Sequence, residues 1–258
     1  MTDYSFTLDN MRFSYSSATN FETCRRQFYL SYIEYADRKP NFFSDYGLFC
    51  HDILEKYFGG ELEIWDLEDY YIDHYGEAIQ NAPPPYPVGM ADQYYQDGLE
   101  FFANFDFDLN AYEVVIIEDK IDCTVNDVDL VVKPDLVLRE KATGKYSLVD
   151  YKTSKLKFNK YDDDKIAGYM KQFYLYSHFL KEGRNIDIST ITVWFIRNNH
   201  VMNIVVDPVE VQKTLDWFFN IIENIKKEQN WEPTTDKKTK FFCDFLCGVR
   251  DECDKVWE

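Results

Sequence analysis

Between Tyr57 and Asp119 the sequence has no lysine and no arginine, against 15 aspartates and glutamates. Phosphate binding needs cations, so this stretch is excluded as a nucleic-acid surface. It carries −15 of the formal net charge of −18, and the other 195 residues, with 31 acids and 28 bases, are nearly balanced. The acidity is therefore regional. A solvated, solubilising surface explains it, and a docking face for a basic protein partner is the functional alternative. No apolar run approaches the ~18 residues of a membrane span. The opening residues MTDYSFTLDN hold neither a basic nor an apolar leader, so no secretory signal is expected. Cysteine is sparse, with six in the chain. Without a leader the expected compartment is reducing and cytoplasmic, where thiols serve as metal ligands or core residues rather than disulfides.

What is present suits a single core. The 258 residues are 45% hydrophobic and include 20 Tyr and 21 Phe. Periodicity predicts a helix in SYSSATNFETCRRQFYLSYIEY, entered through Ser16, Ser17 or Thr19, with Thr19 and Glu22 spaced as a capping box. SDYGLFCHDILEKYF predicts a second helix, starting near Ser44 or Asp45. EIWDLEDYYIDHYGEAI and ADQYYQDGLEFFANF are helical and acidic, separated by the rigid loop APPPYPVG. From Ala111 the runs YEVVIIE, IDCTV, DLVVKPDLVLRE and YSLVDYK predict strands, with turns at Asn126-Asp127 and KATGK. A helix follows in IAGYMKQFYLYSHFLKE, then a hairpin around Asn198-Asn199, then a long helix opened by Pro208. The order predicts an α/β core with a helical insertion.

Residues i and i+2 of a strand face one side, so Asp150 and Lys152 of SLVDYK point together at a strand end. Asp135, in KPDLVL, sits within or at the end of another buried strand. Burying an unpaired carboxylate is costly, and a hard divalent cation would hold both. A lysine beside it could orient water or stabilise charge on a phosphate. An internal Asp–Lys salt bridge is the plain alternative. His51 lies one helical turn after Gly47 and reads as a packed or surface histidine unless other ligands join it. Gln172 and Tyr176 share a helix face and could hydrogen-bond a phosphodiester or a catalytic group; taken in isolation, a half-buried polar stripe is the better explanation. Cys243, Cys247 and Cys253 are one ligand short of a tetrahedral set, which Cys24 could complete from the far end of the chain. Cys50 and Cys123 read as core thiols.

Taken in order, SSATNFETCRRQFYL, GLFCH, KPDLVL, LVDYKT, QFYLY and the final cysteines resemble the RecB-like branch of the PD-(D/E)XK nuclease superfamily. The likeness is greatest to the CRISPR-associated and phage-type exonucleases that carry four cysteines. It implies a restriction-endonuclease-like α/β fold, a central mixed β-sheet flanked by helices, as one nuclease domain over 1–258. An acidic helical insertion would occupy 59–110 and a Cys-rich segment 238–258. It implies His51, Asp135 and Asp150 as ligands of Mg²⁺ or Mn²⁺, Lys152 as the catalytic lysine, and Glu118 as an accessory acid. Gln172 and Tyr176 would help hold DNA. Cys24, Cys243, Cys247 and Cys253 would hold a 4Fe–4S iron–sulfur cluster.

The implied activity is metal-dependent hydrolysis of DNA from single-stranded ends, in phage or CRISPR-type DNA processing or recombination. A nuclease-fold adaptor that binds DNA or protein without turnover is the alternative. Arg25, Arg26, Lys152, Lys155, Lys157, Lys160, Lys226, Lys227, Lys237, Lys238 and Lys240 are expected to form a positive track despite the net charge.

Overall fold

The computed structural model describes residues 3–156 and 160–254, except for the side chains of residues 160 and 161. Lys157 and the side chain of Lys160 thus lie outside the described residues. Helix α1 (Ser5–Asp9) precedes two helices where one was expected, α2 (Tyr15–Thr23) and α3 (Arg25–Tyr32). The break is Cys24, which is extended at φ −162° and whose sulfur accepts from the Thr234 N–H at 3.4 Å. The entry also differs. Ser14 and Ser17 form the capping box, and the Thr19 hydroxyl instead donates back to the Tyr15 carbonyl. Helix α4 (Phe42–Phe58) starts earlier than expected because Asn41 caps it, accepting from the Phe43 and Ser44 N–H groups while Ser44 Oγ accepts in return.

The acidic stretch folds as α5 (Leu67–Ala78) and α6 (Met90–Ala103). Strand β1 (Tyr112–Ile117) then leads to a separate two-stranded hairpin, β2 (Ile121–Val125) and β3 (Val128–Val132). Asn126 and Asp127 both take positive φ, 51° and 59°, as its two-residue turn requires. The run DLVVKPDLVLRE is two strands rather than one. Pro134, which has no N–H, falls between β3 and β4 (Leu136–Glu140). Next come β5 (Tyr146–Lys152), α7 (Lys160–Arg184), β6 (Ile188–Phe195), β7 (His200–Val205) and α8 (Pro208–Lys227), the last capped by Asp207.

The main sheet runs β1-β4-β5-β6-β7, with β5 and β6 parallel and the other pairs antiparallel. Helix α7 makes the crossover that a parallel pair needs. Both faces are covered. Val137, Leu148, Ile191 and Val193 pack with α2, α7 and α8, while Leu136, Leu138, Val149, Tyr151 and Trp194 pack with α4, α5 and α6. This is why β5 reads as a nearly continuous apolar run, and why a polar residue inside it marks a site. Among the described residues no helix is long and apolar enough to cross a membrane.

Candidate active site and cysteine cavity

Pairing aligns Leu136 with Val149, so one step further Asp135 stands opposite Asp150. Asp150 is 2% exposed within β5, and Lys152 closes the same strand face. From the other side, α4 presents His51 one turn after Gly47. A Cβ at Gly47 would meet Thr153 Oγ1 at 3.7 Å, an ordinary van der Waals contact, so the space beside β5 does not itself require glycine. His51 Nδ1 is 2.9 Å from Glu118 Oε1 and 3.7 Å from Asp135 Oδ2, and its Nε2 is 3.1 Å from the Tyr151 carbonyl. Ligand atoms of His51, Glu118 and Asp135 lie within 4.8 Å of one another. Asp135 Oδ2 also accepts from the Tyr151 N–H at 2.9 Å.

Lys152 joins the carboxylates to α7. Its ammonium is 2.7 Å from Asp150 Oδ2 and donates to Gln172 Oε1 at 3.1 Å, and Gln172 Nε2 donates to the Tyr176 hydroxyl at 3.2 Å. The Tyr169 and Phe173 rings lie beneath it at 4.8 and 5.3 Å. In this state Gln172 and Tyr176 therefore hold the lysine.

Electrostatics follow from crowding two acids in a dry place. Burial first, and then Asp150, push the Asp135 carboxyl up to about 7. Burial works against the charge on His51, yet hydrogen bonding to Glu118 and the nearby Asp135 hold it above its ordinary value. Burial also opposes the charge on Lys152, and Asp150 and Asp135 more than offset it, so the ammonium keeps its proton. Glu118 is held low, because His51 and Lys133 bonding outweighs burial.

The donor set fits a divalent cation. Asp150 Oδ2 is buried and accepts no aligned hydrogen bond despite the adjacent ammonium. Two further carboxylates and an imidazole face the same space. Asp150 itself stands outside the tight trio, with Lys152 against it.

Glu118, expected only as an accessory acid, is one of the three most closely grouped donors. Its signal was an acid ending the apolar run VVII, as Asp150 interrupts LV. Its backbone is left-handed at φ 47°, rare for a residue with a side chain and common where a site imposes geometry. Lys133, which sequence reasoning missed, contacts Glu118 Oε2 at 2.5 Å.

A family model for the PD-(D/E)XK nuclease superfamily matches residues 12–254. The chain belongs to the PD-(D/E)XK nuclease superfamily. The motif letters are Pro134-Asp135 and Asp150-Tyr151-Lys152. Members are in general hydrolytic nucleases that use divalent metals, and the fold implies a nucleic-acid substrate. No curated protein matches the chain. Among solved structures the chain is similar to the crystal structure of SSO0001, at 16% identity over 80% of this chain and 96% of that one. The TM-score is 0.36, too loose a likeness to bear on function.

Cys24, Cys243, Cys247 and Cys253, from near the two ends of the chain, all line one cavity of about 250 Å³, with Gln27, Leu30 and Phe242. Burial, with the three other thiols adding to it, pushes the Cys247 thiol up to about 11. No three of the four sulfurs close to within 4.8 Å of one another. Cys50 is buried in the core between α4 and the sheet, and Cys123 is half-buried on β2. None of the described cysteines forms a disulfide.

Most of the bases expected to line a track have acidic partners. Arg25 meets Glu228, Lys155 meets Asp97, Lys226 meets Asp9, Lys227 meets Glu223 and Lys240 meets Asp244. The exposed pairs among these are worth only ~0–1 kcal/mol, so a phosphate can displace their acids; Lys155–Asp97 differs, because its aspartate side chain is 6% exposed.

One prediction follows from Asp135 alone. Its folded pKa lies above the ordinary carboxyl value, so between about pH 4 and about pH 7 the folded chain keeps a proton that the unfolded chain has lost. In metal-free protein this stabilisation is lost as pH rises through about 7. Urea unfolding of wild type and Asp135→Asn at about pH 5.5 and about pH 8 should show wild type losing stability relative to the variant, on the order of a few kcal/mol. Added Mn²⁺ should remove that loss at the higher pH. Parallel pH profiles for the two proteins would contradict it.

Proposed function

We propose that the chain is a RecB-like, metal-dependent DNA exonuclease acting at single-stranded ends. The observation that carries this reading is the convergence of His51, Glu118 and Asp135 beside the Asp150–Lys152 pair in a superfamily core. His51, Asp135 and Asp150 are the residues we assign to hold Mg²⁺ or Mn²⁺, with Glu118 beside them. The ion supplies Lewis acidity toward the phosphodiester and activation of water. Lys152, kept protonated by Asp150 and Asp135, supplies positive charge where charge develops on the phosphate. Gln172 and Tyr176 fix the lysine's position and offer an amide and a phenol to the neighbouring phosphate. Tyr151 uses its backbone on both sides, donating to Asp135 and accepting from His51. By the same resemblance the setting is phage or CRISPR-type DNA processing or recombination.

The four cysteines around one cavity support a 4Fe–4S cluster that ties the C-terminal segment to α3. The exposed acids of 57–119 suit a solubilising surface, and a basic protein is the partner they would accept.

Linear and circular single strands separate the exonuclease reading from its alternatives. In Mn²⁺ the linear strand should be shortened from an end and the circle left intact. Cleavage of the circle would remove the exonuclease assignment, and cleavage of neither would favour an adaptor. Two further results are expected. DNA binding should fall steeply with added salt, as phosphate contacts release counterions. Gln172→Ala and Tyr176→Ala should slow cleavage by roughly ten- to a hundredfold, less than changes at the aspartates, because they act through the lysine. Salt-independent binding, or a Gln172→Ala variant as inactive as Asp150→Ala, would contradict this.

A further inference from the structure

Among the described residues only two acids are less than a tenth exposed, and one is Asp150 of the nuclease centre. The other is Asp97, on α6 inside the acidic stretch. Every other acid of α5 and α6 is at least partly exposed. Asp97 is paired with two cations. Lys155 Nζ donates to its Oδ1 at 2.9 Å, and Arg197 donates to its Oδ2 from Nε at 3.0 Å, with Nη2 at 2.8 Å. Gln93 Nε2 adds a bond to Oδ1 at 2.6 Å. Arg197 is itself buried and lies over the Tyr94 ring at 3.3 Å. The contact depends on close approach of α6. A Cβ at the next residue, Gly98, would fall 2.4 Å from the Tyr71 hydroxyl and 2.6 Å from that of Tyr46.

The partners of Asp97 are the two segments that leave the active-site strands. Lys155 lies three residues after Lys152, and Arg197 lies two residues after β6 ends. Asn198, next to Arg197, grips the same loop, accepting from the Leu156 N–H at 2.7 Å and donating to the Leu156 carbonyl at 2.8 Å. Ser154 meets the Tyr169 hydroxyl at 2.8 Å, and the Tyr169 ring underlies the Lys152 ammonium. The loop 153–156 is thus held at Ser154, Lys155 and Leu156, and one of the three fastenings is ionic and comes from the acidic stretch.

We propose that Asp97 is a positioning residue for the nuclease centre. It ties α6 to the loop after Lys152 and so fixes the lysine's reach toward the substrate phosphate. The catalytic half of this proposal rests on the nuclease reading above; the clamp on the loop does not. It gives the acidic stretch a task beyond solubility. One acid turns inward and sets the active-site loop, while its neighbours face water.

Two variants and two readouts test it. Asp97→Asn keeps the shape and removes the charge. Lys155→Met removes the ionic fastening from a side chain 44% exposed, where loss of the fold is not at issue. Each should lower kcat about tenfold with KM within about twofold, and the double variant should fall no further than either alone. Independently of turnover, amide exchange at Leu156 should quicken about tenfold or more in both, with β5 amides unchanged. Asp73→Asn, an exposed acid of α5, should change neither readout. Wild-type kcat and wild-type Leu156 exchange in Lys155→Met would overturn the proposal, as would fully additive losses in the double variant. If the wild type cleaves no DNA, the nuclease reading fails and the catalytic half falls with it, while the exchange rates still decide the clamp.

Discussion

Alanine at Asp135, Asp150 or Lys152 is expected to lower the single-turnover rate of DNA cleavage by at least about a thousandfold, without unfolding the chain. Phosphodiester hydrolysis is very slow without help, so charge neutralisation and activated water must supply most of the rate. The three residues converge at the adjoining ends of β4 and β5, where Asp150 Oδ2 is buried against the Lys152 ammonium without an aligned hydrogen bond. Burying a carboxylate and an ammonium together is a costly way to fill a strand end, which is what a pair kept for chemistry looks like. Removing Asp150 leaves the buried Lys152 ammonium without its nearest partner, at a cost of about 3–5 kcal/mol. Asp150→Asn, which keeps the volume, should be as inactive as the alanine variant. Circular dichroism confirms the fold in each case. Wild-type-like turnover in any of the three alanine variants would remove that residue from the mechanism.

The second large effect concerns the cysteines. Protein purified without air should be brown and hold about four irons and four sulfides per chain. Changing Cys24, Cys243, Cys247 or Cys253 to serine should strip the iron, and residues beyond Lys240 should become the first site of proteolysis. Cys123→Ser should change neither. The four thiols come from α3's entry and the final turns, and they surround one cavity. The small apolar cluster beneath the tail, Leu30, Cys247 and Val249 with Phe242, offers little burial of its own. A tie between the chain's two ends therefore has much to hold. A colourless protein, with zinc or no metal and a tail resistant to protease, would sink the cluster and leave the nuclease reading standing.

The carboxylates of the candidate site were legible because strand periodicity and the Pro134 break are local signals. An acid inside LVVKPDLVL or LVDYK stands out against its neighbours, and the i, i+2 rule puts Lys152 on the face of Asp150. Helix and strand content was legible for the same reason. Other features were set by contacts distant in sequence. The split at Cys24 answers to Thr234, and no periodicity reports that. The β2–β3 hairpin reads like any other strand pair, although it stands outside the main sheet. Asp97 was invisible among fifteen acids. Its burial depends on Lys155 and Arg197, 58 and 100 residues away. Lys155 in turn looked like a free base for DNA, when its partner was the same aspartate.

The most direct measurement of the central claim is metal-dependent cleavage by the wild-type chain. End-labelled single-stranded DNA is incubated with purified protein in Mg²⁺, in Mn²⁺ and in chelator, beside Asp150→Ala. The expected result is shortening of the strand in either metal, none in chelator and none with the variant. Intact DNA in both metals, or cleavage that persists in chelator or in Asp150→Ala, would contradict it.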